Sequence, residues 1–112
     1  MKLFRYTQQG QSRVGVMPAG QSSHFADLAS LVPEVPHEIE ALFEPALRAR
    51  VAQGLAQTPA SALKPLAGLV FEVPIAQPPK IVCMGLNYAD HAKEGGNARP
   101  EYPSFFMRVA TS

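Results

Sequence analysis

The sequence predicts an α+β protein, in which a small N-terminal domain with a β-hairpin and helices precedes a strand-rich segment. Three patterns support this: an alternation of period two near the N-terminus, a helical spacing of apolar residues over 39–51, and an apolar run after a proline-rich stretch. The chain has 112 residues, of which 46% are hydrophobic and 17% charged. That length suits one small domain or part of a larger protein, and the eleven prolines predict short elements joined by stiff turns.

The first elements are two strands and a helical turn. Residues 3–6 and 13–17 alternate between apolar and polar side chains, and the segment 8–11 (Gln-Gln-Gly-Gln) separates them. This arrangement predicts a β-hairpin. Further along, Asp27 can cap a short helical turn that runs through Leu31.

A helix with one buried face is predicted next. Pro45 lies inside this pattern, and it either kinks the helix or starts a second one, because proline lacks an N–H and clashes with the preceding turn. Residues 54–65 indicate a linker or a short helix between turns, and residues 69–73 a strand. The apolar positions that recur at helical spacing are Ile39, Leu42, Phe43, Ala46, Leu47 and Val51.

A proline-rich stretch divides the chain. Prolines at 74, 78 and 79 predict a stiff connector over 74–79, which separates a small α+β domain over 1–73 from a segment over 80–112. The second segment opens with the apolar run 80–84, which indicates a buried strand that is followed at once by glycine.

Polar and ionisable residues concentrate directly behind this strand, over 85–96. If residues 88–94 form a helical turn, His91 and Glu94 lie on one face. A carboxylate beside an imidazole raises the pKa of the ring and fixes its tautomer, which makes a general base. The spacing alone also fits a solvated helix surface.

The ordered features of this segment resemble the fumarylacetoacetate hydrolase family. They are the apolar strand, the Gly-Leu-Asn-Tyr turn at 85–88, the His91-x-x-Glu94 pair and the Pro-x-x-Pro-x-x-Phe run over 100–106. Residues 1–79 are similar, more loosely, to the small N-terminal domain of bacterial members. The resemblance implies that residues 80–112 supply the first strands and the lid of an incomplete mixed β-roll domain.

The resemblance also implies an activity. Members are Mg²⁺- or Mn²⁺-dependent enzymes, usually dimers, that hydrolyse a C–C bond in acylpyruvates, decarboxylate oxo acids or isomerise hydroxydienoic diacids. The family's dyad corresponds to His91, which would deprotonate water or substrate, and Glu94, which would orient the ring. Substrate binding falls to Asn87, Tyr88 and Arg108. Asn87 and Tyr88 either shape the pocket or satisfy backbone groups at the turn.

Two departures from the family pattern stand out. Many members carry a substrate-binding lysine after the phenylalanine, where this chain has Met107 and Arg108. The family's metal ligands, a Glu-x-Glu pair and a later aspartate, lie downstream of the residues present here. We therefore assign no metal ligand in this chain, expect Mg²⁺ or Mn²⁺ only in the complete enzyme, and expect the chain alone to be inactive.

Composition and charge exclude several classes of protein. A net charge of +1 argues against binding driven by nucleic-acid phosphates or anionic membranes. No run approaches the ~20 apolar residues of a membrane span. The single cysteine, Cys83, excludes an intramolecular disulfide and fits a reducing cytoplasm.

The expected partners are a small oxo-acid substrate and either a second copy or the missing catalytic portion. The alternative is a non-catalytic module that pairs with a larger subunit. It predicts an exposed apolar surface near Phe105 and Phe106, which cannot both face the same side of one strand.

Overall fold

A computed structural model of the protein describes residues 1–96, 98 and 101–109, except the side chains at 89, 91 and 92. It has the predicted α+β composition. The chain divides into two compact units, Met1–Ala76 and a second that begins at Gln77. That division falls within the proposed connector. The interpretation of the second unit as the start of a truncated catalytic domain stays a prediction.

The first unit is built on a five-stranded antiparallel sheet in the order β4-β3-β2-β1-β5. The three interior positions belong to the first three strands of the chain, whereas both edges are short strands from its second half. The strands are β1 (Lys2–Gln8), β2 (Gln11–Met17), β3 (His24–Asp27), β4 (Lys64–Pro65) and β5 (Val70–Glu72).

The predicted hairpin is confirmed. Gln8 pairs with Gln11, so Gln9 and Gly10 form a two-residue loop. Their φ angles are 53° and 75°, the double left-handed conformation whose twist matches that of paired strands. Glycine adopts this conformation without a Cβ clash.

The helices follow the local signals in the sequence. Helix α1 (Leu28–Leu31) begins after Asp27, whose side chain accepts from the N–H of Ala29. A 3₁₀ helix, Ile39–Phe43, precedes helix α2 (Pro45–Gln57), so Pro45 starts a second helix rather than kinking one. Its missing N–H costs nothing at a first helical position. Over 54–65 we expected a linker or a short helix between turns; helix α2 continues into this stretch as far as Gln57, and a second 3₁₀ helix, Ala60–Ala62, follows.

The core of the first unit lies against the sheet. One cluster joins β2, β3, α1, α2 and the first 3₁₀ helix, and a second joins Tyr6, Met17 and Phe25 with the partly buried Phe4. Phe4 lies over Gly15, where a Cβ would come within 2.2 Å of the ring. The buried members of the first cluster are Val14, Val16, Ala26, Leu28, Val32, Ile39, Leu42, Leu47, Val51 and Leu55.

The second unit contains strand β6 (Ile81–Gly85), helix α3 (Ala89–Glu94) and strand β7 (Ser104–Arg108). The two strands form an antiparallel ribbon. The strand predicted from the apolar run 80–84 is present as β6. We expected it to be buried, which is wrong for the described residues, since Val82 is 60% and Met84 46% exposed. A two-stranded ribbon cannot cover its own faces. Over the described residues, every helix is too short or too polar to cross a membrane.

Candidate active site

The turn behind β6 is held in an unusual conformation. Gly85 ends the strand, and Leu86, which follows it, has a φ of 51°. A left-handed conformation is uncommon for a bulky side chain and costs about 1–2 kcal/mol. Such strain persists only where the surrounding structure imposes it, and it is frequent at functional sites.

This turn forms one wall of a pocket of about 230 Å³. The register explains the other wall, because Gly85 pairs with Ser104 and so brings the segment just before β7 beside the segment just after β6. The lining residues are Met84, Gly85, Leu86, Asn87, Glu101, Tyr102 and Pro103.

Two of the predicted substrate-binding residues lie at this turn. Asn87 lines the pocket and is exposed. Tyr88 follows it and is 75% exposed, although it does not line the pocket. Glu101 and Tyr102 also line the pocket, but we did not predict them, because their sequence signal was only that of spacers between two prolines.

The predicted dyad lies on helix α3. The helix contains both His91 and Glu94, and residues three apart in a helix occupy the same side. Glu94 is exposed. The side chain of His91 lies outside the described residues, so the pairing of imidazole and carboxylate stays a prediction.

The fifth predicted residue lies apart from the turn. Arg108 pairs with Ile81, at the end of the ribbon opposite Gly85 and Ser104. Four strand residues span about 13 Å. Asn87 and Arg108 are therefore placed at opposite ends of the ribbon, and the structure does not bring them into one pocket.

The described residues do not fit a magnesium site by themselves. Among them, no group of three or more His, Cys, Asp or Glu side chains could hold a metal ion. Mg²⁺ needs near-octahedral oxygen coordination, whereas a single carboxylate, Glu101, lines the pocket.

The first unit also contains a buried polar cluster around Asp27. The sequence predicted only the helix cap that Asp27 forms and none of its other contacts. Asp27 is 4% exposed, and its Oδ2 accepts from the Tyr6 hydroxyl at 3.0 Å and from Arg13 Nη1 at 3.0 Å. Lys64 Nζ lies 3.5 Å from the same oxygen. These partners lie 14 to 37 residues away in sequence, so no local pattern announces them.

The cluster shifts two pKa values. Burial opposes the charged form of Asp27, but hydrogen bonds from Arg13, Tyr6 and the Ala29 N–H, with the charge of Lys64, outweigh it and lower the pKa of the carboxyl. Burial, the charge of Asp27 and their hydrogen bond raise the pKa of Tyr6 to about 12. The cluster ties four strands together, which gives it a structural role.

Comparisons with known proteins find that the chain is similar to part of several longer enzymes. No protein-family model matches it. It is 35% identical over 112 residues to a 2,4-didehydro-3-deoxy-L-rhamnonate hydrolase from Sphingomonas sp. strain SKA58, covering all of this chain and 35% of that protein. It is 29% identical over 99 residues to an oxaloacetate tautomerase, Fahd2a, of rat mitochondria, covering 86% of this chain and 31% of that protein.

The chain is also similar to a solved structure. A fumarylacetoacetate hydrolase from Exiguobacterium antarcticum superposes with a TM-score of 0.61 at 26% identity, covering all of this chain and 36% of that one. The chain thus spans about a third of the length of the proteins it matches.

Proposed function

Because the chain belongs to the fumarylacetoacetate hydrolase family, we propose that it is part of an enzyme that acts on oxo acids. The reaction is C–C bond hydrolysis of acylpyruvate-type substrates, or a related decarboxylation or isomerisation. Support comes from relatives named as a hydrolase of a didehydro sugar acid and a tautomerase of oxaloacetate.

The observation that carries this proposal is the placement of α3. The helix follows the strained turn directly, and it holds His91 and Glu94 three residues apart. In our proposal His91 takes a proton from water or substrate, while Glu94 orients the ring and balances the imidazolium charge. Asn87 and Tyr88, both exposed at the turn, bind substrate.

Hydrolysis of an acylpyruvate balances without further reactants. The water oxygen joins the acyl carbon, the C–C bond breaks, and its electron pair leaves with pyruvate as the enolate. The proton that His91 removes from water can return to that enolate carbon. Arg108, at the other end of the ribbon, is proposed to bind a carboxylate through its guanidinium.

Mg²⁺ or Mn²⁺ remains a proposal for the complete enzyme, and no step is assigned to it here, because the described residues do not fit such a site. A cytoplasmic location and a dimeric state are likewise proposed. The chain by itself is proposed to lack activity.

The test compares His91→Ala with the unaltered protein in the intact natural enzyme, with acylpyruvate hydrolysis followed by the loss of the diketone absorbance. Removal of a general base lowers turnover by roughly 10²–10⁴-fold. Glu40→Gln, an exposed carboxylate of the first unit, is the control and leaves turnover unchanged. Turnover equal to that of the unaltered protein in His91→Ala would refute the role of His91.

The non-catalytic module is the second candidate, and one observation favours it. The ribbon carries an apolar face of Val82, Met84, Phe105 and Met107, each 46–61% exposed, because directly paired residues share a side. Phe106 is 51% exposed on the opposite side. A partner subunit could cover these faces. If the chain is such a module, the intact natural protein is near 12.1 kDa and hydrolyses no acylpyruvate.

A further inference from the structure

We propose that Leu86 is a positioning residue: its left-handed backbone sets the direction in which the chain leaves β6, and so places both Asn87 and helix α3. The inference rests on the proposed function, in which Asn87 binds substrate and α3 carries the proton-transfer pair of His91 and Glu94. The role belongs to the backbone of Leu86 and not to its side chain.

The conformation of Leu86 is not required by a tight turn between strands. Among the residues that the structure describes, Gln9 is the other non-glycine residue with a positive φ, and its two-residue hairpin loop requires that conformation. Leu86 instead lies in the connection 86–88 between β6 and α3. Gly85, directly before it, is held in the ribbon by its pairing with Ser104. The left-handed conformation therefore falls on the first residue after the paired strand, where it sets the direction of the connection.

The direction of the connection decides where α3 stands. The φ of Leu86, 51°, differs by about 110° from the value near −60° that leucine prefers in helices and turns. Helix α3 has six residues and so extends about 9 Å from its start. A rotation of this size at Leu86 would move the far end of the helix, where Glu94 lies, by several ångströms. A misplacement of about 1 Å is enough to lower a rate about 10²-fold, so the backbone at Leu86 bears directly on turnover.

The chain uses the same conformation at both ends of α3, but with different residues. Gly96 has a φ of 68°, and its N–H donates to the carbonyl of Lys93 at 3.0 Å, which closes the helix. Glycine adopts this conformation readily, whereas leucine adopts it against its preference. Such a residue persists only where the surrounding structure imposes its conformation, and residues of this kind are concentrated at active sites. The strained end of α3 is the one next to the pocket, since Leu86 and Asn87 both line it.

The experiment separates the backbone of Leu86 from its side chain. Leu86→Asn loses the apolar side chain but keeps the left-handed conformation accessible, because asparagine tolerates it. Leu86→Val keeps an apolar side chain but opposes that conformation, because valine is β-branched. Gln9→Val, the matched control, places the same conflict in the hairpin of the first unit. In the intact natural protein, kcat and KM per folded molecule are measured with the acylpyruvate 2,4-dioxopentanoate.

Leu86→Asn is expected to keep a kcat at least about tenfold above that of Leu86→Val, in which KM rises as kcat falls. Gln9→Val loses stability in urea but keeps kcat and KM unchanged. If Leu86 acted through its side chain, Leu86→Val would retain the higher kcat. That order, or equal values in the two variants, would overturn the inference while leaving the proposed function standing. Should Leu86→Val fail to fold, Leu86→Ala takes its place, since alanine also disfavours the left-handed conformation.

If the unaltered protein does not turn over 2,4-dioxopentanoate, acylpyruvate hydrolysis fails as the proposed function, and NMR spectra of the same variants decide the inference. The amide shifts of Lys93 and Glu94 report the placement of α3, because both residues lie in that helix and well beyond the substitution. The inference stands if these shifts move in Leu86→Val and stay in Leu86→Asn and Gln9→Val. It is overturned if they move alike in both Leu86 variants or in neither.

Discussion

Replacing Asp27 by asparagine tests the buried cluster with almost no change in shape. The substitution removes the negative charge that accepts from Tyr6 and Arg13 at 3.0 Å, and it leaves the guanidinium of Arg13 beside a neutral amide. The cap at Ala29 survives, since asparagine is also a good N-cap.

The size of the effect follows from burial. Asp27 is 5% exposed at its side chain, but Arg13 is 34% and Lys64 46% exposed, so solvent partly screens both cations. Hydrogen bonds to charged groups contribute about 1.5–3 kcal/mol each, and breaking a fully buried ion pair costs about 3–5 kcal/mol. With the screening, we expect Asp27→Asn to lower the free energy of unfolding by about 2–4 kcal/mol at pH 7.

The effect depends on pH in a stated direction. The pKa of Asp27 in the folded chain lies below its ordinary value of 3.8, so the unfolded chain binds the proton more tightly. The stability from the carboxylate is present above about pH 4 and is lost as the pH falls below 3.8 through the folded value. The difference in the free energy of unfolding between Asp27→Asn and the unaltered chain therefore becomes smaller as the pH falls below 3.8.

Urea unfolding of the 112-residue chain, followed by circular dichroism from pH 2.5 to 8, measures both the loss of unfolding free energy at pH 7 and its dependence on pH. Glu34→Gln is the matched control: Glu34 pairs with Arg50, but both side chains are more than half exposed, so little change is expected. A loss below about 1 kcal/mol for Asp27→Asn at pH 7, or a gap that does not change with pH, would refute the reasoning.

Three further predictions concern the first unit. Tyr6→Phe removes the hydroxyl that donates to Asp27. Because the pKa of Tyr6 is raised from 10.0 to about 12, the stability that this hydroxyl contributes is lost as the pH rises through that interval. Unfolding curves of Tyr6→Phe at alkaline pH should therefore lack that loss of stability. Gly15→Ala puts a Cβ within 2.2 Å of the Phe4 ring and should destabilise the chain by about 1–3 kcal/mol in urea. Gly54→Ala, whose Cβ meets nothing closer than 3.7 Å inside α2, should instead stabilise it by about 0.5–1 kcal/mol, and equal effects of the two alanines would contradict the packing described.

The candidate site was predictable in part. The spacing of His91 and Glu94 fits a short helix, and the resemblance to the family implies a turn with Asn87; both elements are present. Glu101 and Tyr102 were not predictable, because they reach the turn only through the pairing of β6 with β7 across eighteen intervening residues, 86–103. Strand register is set by contacts between segments, which a local pattern does not encode.

The sequence by itself determined the elements whose causes are local. Gln9-Gly10 sets the hairpin and Asp27 caps α1, each through the conformational preference of one or two residues. At Pro45 the sequence left a kink or a new helix open, and the structure shows that α2 begins there. Tertiary structure alone decided the rest: the edge strand β4, the edge position of the predicted strand β5, the four strands joined at Asp27, and the exposure of the ribbon. These features depend on which distant segments meet, because burial and pairing are properties of the packed chain rather than of any stretch within it.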